Sequence, residues 1–316
     1  MHPSLPHPRH VLVAASAPDE VARRLHAARP DLELRVTAAA DVTADDLAWA
    51  DTYVGFRRPP RASMGNVRWV HSTGAGVDPW FFPVPLPADV LLTRSSESFG
   101  PPIAEWALAR ALAWRQQLLD LADCQRRHAW APREVGYVRG SRAVIVGTGD
   151  VGTAIGRAFA ALGAEVHGIS RSGRGDPAVF ATTGTPDALG TRAATADWLI
   201  VAAPLTAETR GLVSRDVLGA CRGAVLMNAG RGAIVDEAAI PAALDAGTLA
   251  AALLDVFTVE PLPPDSPLWD HPRVMISPHV SGLTTVEGAV AGFLECLAAF
   301  ERGELPQWVV DRRHGY

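Results

Sequence analysis

The sequence contains no lysine: all 29 of its basic residues are arginine. That absence excludes mechanisms built on an ε-amine. Schiff-base and pyridoxal enzymes, P-loop NTPases, Tyr-x-x-x-Lys reductases and hydroxyacid dehydrogenases with a lysine acid all fall away. Cysteine is scarce as well. Cys124, Cys221 and Cys296 are far apart, with no C-x-x-C. Neither a disulfide framework nor a metal site is expected, and the chain suits a reducing, cytoplasmic setting. No apolar run approaches the roughly 18–20 residues that cross a bilayer, and the run at 11–15 is too short for a signal-peptide core. Positive charge is lacking too. The net charge is −5 with scattered arginines, which leaves no footprint for nucleic acid. Residues 1–9, rich in proline and histidine, read as a loose tail.

What remains is an ordinary globular composition, 48% hydrophobic and 20% charged over 316 residues, long enough for one large or two modest domains. Strand-like segments at 11–15, 32–36, 52–56, 68–71 and 90–93 alternate with helical patterns at 19–28 and 44–50. A long helical pattern at 101–128 opens on two prolines and is apolar on most sides of its first half. It reads as a core helix or as one shared between domains or subunits. The alternation then restarts, with strands expected at 143–146, 165–169, 198–202, 224–228, 251–255 and 274–277. Helices are expected at 151–162, 236–246 and 284–302. Such a pattern predicts an α/β fold with parallel sheets covered on both faces.

The second block begins AVIVGTGDVGTAIG. Gly147, Gly149 and Gly152 form G-x-G-x-x-G between an apolar strand and a helix. One glycine allows a tight turn, the next the approach of a pyrophosphate, the third helix–strand packing. Asp150 and Val151 open the helix whose N-terminal amides would face the phosphates. In an NAD-binding unit the next strand ends in an acid that holds the ribose hydroxyls. Here it ends in Ser170, Arg171, Ser172 and Arg174, and the first acid is Asp176 beyond a glycine turn. Guanidinium and hydroxyl groups suit a 2′-phosphate, so NADP (NADPH) is expected over NAD. The plain alternative is a solvated basic loop.

Three further segments, NAGRGAIVD at 228–236, DVFTVEPLP at 255–263 and SPHVSG at 277–282, follow in order. With the glycine loop they resemble the D-isomer-specific 2-hydroxyacid dehydrogenase family over nearly the whole chain. The arginine turn is similar to the NADPH-dependent glyoxylate/hydroxypyruvate reductase branch. The resemblance implies two Rossmann-like, doubly wound parallel-sheet domains with an active-site cleft between them. Residues 1–101 plus 285–316 would form a discontinuous substrate domain and 102–284 the dinucleotide-binding domain. A homodimer joined through the cofactor domain is implied too.

Reduction of a 2-keto acid needs a hydride, a proton for the developing alkoxide and a cation for the carboxylate. By this resemblance Arg231 supplies the cation, His279 the proton donor and acceptor, and Glu260 the carboxylate that favours and orients the imidazolium. Gly74, Ala75 and Gly76, in HSTGAGVD, offer backbone amides to the substrate carboxylate. Arg57 is a weaker candidate. Ala203, Pro204 and Thr209 match the loop under the cofactor riboses, and Asn228, Ala229, Asp255 and Gly282 match its nicotinamide end. Asp255 is the expected acceptor for the carboxamide. Two other readings stay open: a non-catalytic dinucleotide-sensing scaffold of the corepressor type, and a dehydrogenase of another small acid such as formate or phosphite. Formate enzymes pair their histidine with glutamine, where this chain has Glu260.

Overall fold

A computed structural model describes residues 5–60, 63–95 and 99–315. The chain forms two compact units, Met1–Glu97 with Thr284–Tyr316, and Ser98–Leu283.

In the first unit five short strands, β1 (His10–Val13), β2 (Glu33–Val36), β3 (Thr52–Val54), β4 (Trp69–Ser72) and β5 (Leu91–Arg94), form one parallel sheet ordered β2-β1-β3-β4-β5. Helices α1 (Pro18–Ala28) and α2 (Ala44–Trp49) connect them. The alternation of apolar side chains along β1 explains the layering. Val11 and Val13 pack with α1 and the last helix, Val286–Glu301, on one face, while Leu12 packs with Tyr53 and Trp80 on the other. Trp69 is wholly buried and stacks on Phe293 of that last helix at 4.7 Å, with Phe300 edge-on at 4.9 Å. This stacking docks the C-terminal helix onto the first unit's sheet. Residues 1–4 of the expected loose tail lie outside the described residues. The part described is not loose: Pro6 is buried and the Arg9 amide donates to Asp51.

The second unit holds seven parallel strands ordered β12-β11-β10-β9-β6-β7-β8. Before the sheet, α3 (Gly100–Arg115) and α4 (Leu118–Arg126) replace the single helix expected at 101–128. The break is at Gln117, at φ +51, with the Gln116 and Gln117 side-chain amides donating to the carbonyls of Gly136 and Glu134. Those bonds fix a left-handed residue in the middle of a helical pattern. Then come β6 (Arg142–Val146), α5 (Asp150–Ala161), β7 (Glu165–Ile169), β8 (Thr182–Gly184), α6 (Leu189–Ala193), β9 (Trp198–Val201) and α7 (Arg215–Ala220). They are followed by β10 (Ala224–Asn228), α8 (Ile240–Asp245), β11 (Leu249–Leu254) and β12 (Val274–Ile276), with α9 the last helix already described. The helix expected at 236–246 is split into a 3-10 turn, Glu237–Ala239, and α8, with Pro241 in the first helical turn. Strand order reverses at β6, between β7 and β9. Ligands of open α/β sheets bind at the carboxyl ends of the strands flanking such a point. Among the described residues no helix is long and apolar enough to cross a membrane.

Candidate active site

The carboxyl edge of the seven-stranded sheet gathers, loop by loop, most of the residues that the sequence singled out. After β6, Gly147 takes φ +104, and a Cβ there would meet the Ala203 amide nitrogen at 2.7 Å. A Cβ on Gly152 would lie 1.8 Å from the Gly147 carbonyl oxygen. Both positions therefore need glycine for the chain's own packing. Gly149 differs: nothing of the protein lies within 4 Å of a Cβ built there. Gly149 and Asp150 are exposed, and α5 begins without a side-chain cap. Open space over an uncapped helix N-terminus is what a pyrophosphate requires. The Asp150 side chain turns away from it and accepts from the Gly100 amide at the start of α3.

The turn after β7 is tied to this loop, because the Thr148 hydroxyl donates to the Arg174 carbonyl at 2.6 Å. Ser170 is committed within the turn. Its hydroxyl donates to the same carbonyl at 2.8 Å and accepts from the Arg174 amide at 3.1 Å. Arg171, Ser172 and Arg174 are exposed along it. Asp176, the first acid in the chain after β7, accepts from the Ala178 amide at 3.0 Å and from Arg157 of α5 at 2.8 Å. The Ala178 amide and the Arg157 guanidinium hold its carboxyl below the ordinary value. An NAD-type acid at the strand end is thus replaced by cations, and the nearest carboxylate is neutralised by its own arginine.

After β9, Ala203 is buried and Pro204 exposed. The Thr209 hydroxyl closes the loop by donating to the Pro204 carbonyl at 2.7 Å and accepting from the Thr206 amide at 2.8 Å. After β10, buried Asn228 braces the turn that carries Arg231. Its side chain donates to the Arg231 carbonyl at 3.1 Å and accepts from the Gly230 amide at 3.1 Å. The Ala229 amide donates to the Val201 carbonyl. Gly232 follows, where a Cβ would lie 1.9 Å from the backbone of Phe257. The Arg231 loop is therefore pressed directly against the chain leading to Glu260.

His279 Nδ1 lies 2.8 Å from Glu260 Oε2, and Glu260 Oε1 accepts from the Phe257 amide at 3.0 Å. A carboxylate only accepts, so Nδ1 carries its proton and Nε2 is the nitrogen left to exchange one. Burial alone would raise the Glu260 carboxyl. The bond from His279, the Phe257 amide and the charge of Arg231 outweigh it, and the carboxyl is held below its ordinary value. His279 itself stands at φ +54, a conformation that costs a non-glycine residue about 1–2 kcal/mol and persists only where neighbours impose it. Asp255 imposes it. Its carbonyl accepts from the His279 amide at 2.8 Å, and its carboxylate accepts from the Val280 and Ser281 amides at 3.1 and 2.9 Å. Asp255 is completely buried, and its oxygens serve the chain's own backbone. It is the anchor of the histidine loop. Gly282, expected to touch cofactor, has a packing reason for being glycine, since a Cβ would meet Ile103 at 2.8 Å.

Gly74, Ala75 and Gly76 follow β4 in the first unit. Gly74 is buried under the Phe56 ring, which a Cβ would meet at 2.6 Å, whereas Ala75 is exposed. Arg57 is exposed, and its carbonyl accepts from the Tyr53 hydroxyl. Sequence reasoning passed over Thr148, whose place inside G-x-G was the available signal. It also passed over the Arg157–Asp176 pair, which nothing in the linear pattern marks.

Comparison with known proteins identifies the relatives of the chain. Residues 108–281 match the family model for the D-isomer specific 2-hydroxyacid dehydrogenase NAD binding domain. A glyoxylate/hydroxypyruvate reductase A of Serratia proteamaculans is 34% identical over 272 residues, covering 82% of this chain and 86% of that one. A D-isomer specific 2-hydroxyacid dehydrogenase from Xanthobacter autotrophicus, solved with NADPH and MES, superposes with a TM-score of 0.86 at 32% identity, covering 98% of this chain and 100% of that one. An NADPH-dependent glyoxylate/hydroxypyruvate reductase from Sinorhizobium meliloti, solved with NADP and sulfate, gives 0.85 at 31% identity, again over 98% and 100%. A glycine loop at the switch point, a braced arginine and a carboxylate-held histidine on one sheet edge, with relatives of this similarity, place the chain in the D-isomer specific 2-hydroxyacid dehydrogenase family.

Proposed function

We propose that the protein is an NADPH-dependent reductase of small 2-keto acids, of the glyoxylate/hydroxypyruvate kind, forming the 2-hydroxy acid, of D configuration where the product is chiral. The observation that carries this reading is the 2.8 Å contact of His279 Nδ1 with Glu260, beside a loop that holds an arginine. When bound, NADPH supplies the hydride. The glycine loop and the first turn of α5 would hold its pyrophosphate, and Arg171, Ser172 and Arg174 its 2′-phosphate. Arg231 grips the substrate carboxylate and polarises the adjacent carbonyl. The carbonyl carbon gains the hydride and the carbonyl oxygen gains the Nε2 proton of His279, while Glu260 stabilises the imidazolium before transfer. Solvent then reprotonates the ring. The reverse sequence oxidises a D-2-hydroxy acid, with His279 as base.

We also propose a homodimer formed through the second unit. Leu118 and Leu119 on α4 are 50% and 62% exposed and Trp130 is 97% exposed, apolar side chains of the kind that a subunit interface covers. Sedimentation of the purified protein tests it, and a monomer at micromolar concentration refutes it. For the reaction, a panel of 2-keto acids offered with NADPH or NADH is decisive. Oxidation of NADPH by glyoxylate or hydroxypyruvate is expected, and inertness across the panel refutes the assignment.

A further inference from the structure

One polar chain beneath the histidine loop has no part in the mechanism above. Asp255 holds the amides of residues 280 and 281, but what holds Asp255 lies on a different element. The Ser277 hydroxyl is 2.5 Å from Asp255 Oδ1, and the indole Nε1 of Trp106 is 3.0 Å from the Ser277 oxygen. Trp106 and Ser277 are nearly fully buried and Asp255 is completely so. The direction of the bonds is fixed by chemistry. An indole N–H only donates and a carboxylate only accepts, so the serine must accept from the first and donate to the second.

Trp106 lies on α3, and its ring carries the Arg110 guanidinium at 4.4 Å from the centroid. Burial pushes the Arg110 guanidinium down, and the charge of Asp255 acts in the opposite direction. One helical turn earlier Ile103 fills the space over Gly282, and at the helix start Gly100 packs on Ala154 of α5. One rigid helix therefore underlies both the glycine-loop helix and the histidine loop.

We propose that Trp106 and Ser277 are positioning residues for His279, acting through Asp255 to hold its imidazole in the orientation that proton transfer requires. The inference rests on His279 as the proton donor. Glu260 fixes one ring nitrogen; the relay fixes the backbone from which the ring projects. Loosening the relay misaims Nε2 without touching the groups that bind cofactor or carboxylate, so its cost falls on turnover.

The experiment measures kcat, KM for the best keto acid of the panel, NADPH affinity by fluorescence and melting temperature, for Ser277→Ala, Trp106→Phe, the double variant and Ser277→Thr. Ser277→Ala removes a charge-assisted bond and should lower kcat about tenfold, with KM and NADPH affinity within about twofold. Trp106→Phe keeps an aromatic side chain while removing the N–H donor, and should lower kcat about threefold to fivefold. The double variant should fall no further than Ser277→Ala, because both break one chain. Ser277→Thr, which restores the hydroxyl, should recover kcat to within about twofold of the parent. Parental kcat in Ser277→Ala, additive losses in the double variant, or losses confined to KM overturn the inference. Should Ser277→Ala not fold, Trp106→Phe decides alone: parental kcat overturns the inference, and a lower kcat with parental NADPH affinity supports it. His279→Ala separates the two levels. If it stays active, the catalytic reading fails and the relay with it. If it is inactive while Ser277→Ala and Trp106→Phe match the parent, the relay alone fails.

Discussion

Replacing Glu260 with glutamine removes one charge and leaves one acceptor oxygen where two donors, the Phe257 amide and His279 Nδ1–H, are now served. If the amide oxygen stays on the Phe257 amide, which reaches Glu260 Oε1 at 3.0 Å, the NH2 faces Nδ1 and that hydrogen bond is lost as well. The charge itself supplies the attraction between carboxylate and imidazolium across the 2.8 Å contact with His279. Two unit charges about 4 Å apart interact by about 4 kcal/mol at an effective dielectric constant of about 20, and by about 1 kcal/mol in water. The His279 and Glu260 side chains are 35% and 32% exposed, so solvent screening brings the net loss towards the lower figure, about 1–2 kcal/mol. That amounts to roughly a tenfold loss in kcat for keto-acid reduction near neutral pH.

In the proposed reaction His279 delivers the proton, so the loss falls on turnover and NADPH affinity should not change. The assay is steady-state turnover for parent and Glu260→Gln, with cofactor binding followed separately. A kcat within about twofold of the parent refutes the coupling of Glu260 to His279.

Arg171→Asp should weaken NADPH binding about tenfold to a hundredfold, as loss of a charge-assisted contact implies, and leave NADH binding nearly unchanged; parallel titrations of both cofactors check this. Gly149→Ala and Gly152→Ala make a contrasting pair. The first places a methyl in open space and should keep its melting temperature while losing NADPH affinity. The second drives a methyl to within 1.8 Å of the Gly147 carbonyl oxygen and should lower the melting temperature as well. A destabilised Gly149→Ala would refute the assignment of that space to a ligand. The Glu260 carboxyl is held below its ordinary value in the fold, so it adds stability above that ordinary value that is lost as pH falls through the lowered one. Acid denaturation of Glu260→Gln should therefore show a shallower loss of stability over that window than the parent does.

The linear sequence carried the fold well where apolar runs and glycines dictate it. The strands at β1, β6, β9 and β10 are short, nearly all apolar and buried, and such runs declare a parallel sheet. It failed where contacts distant in sequence decide. No glycine or proline marks the break at Gln117, which exists because two glutamine side chains reach the loop at 134–136. Strand β8 is three residues long and partly exposed, too short to show a period. The site residues were legible as a set, because glycines, arginine, glutamate and histidine stand in fixed order along the chain. Their division of labour was not. Ser170, Thr209, Asn228 and Asp255 all spend their polar atoms on the chain's own loops. A motif records that a hydroxyl, amide or carboxylate is needed at a position, not whether it faces a ligand or holds the backbone that does. Only the hydrogen-bond partners tell the two apart.

The central claim is that this sheet edge reduces a 2-keto acid with NADPH, and it is tested most directly by following the disappearance of reduced nicotinamide with glyoxylate and with hydroxypyruvate, each cofactor in turn. The expected result is turnover with NADPH at a kcat/KM for the cofactor well above that with NADH, abolished in His279→Ala. Equal or better use of NADH contradicts the reading of the arginine turn, and no turnover with any keto acid contradicts the reading of the site.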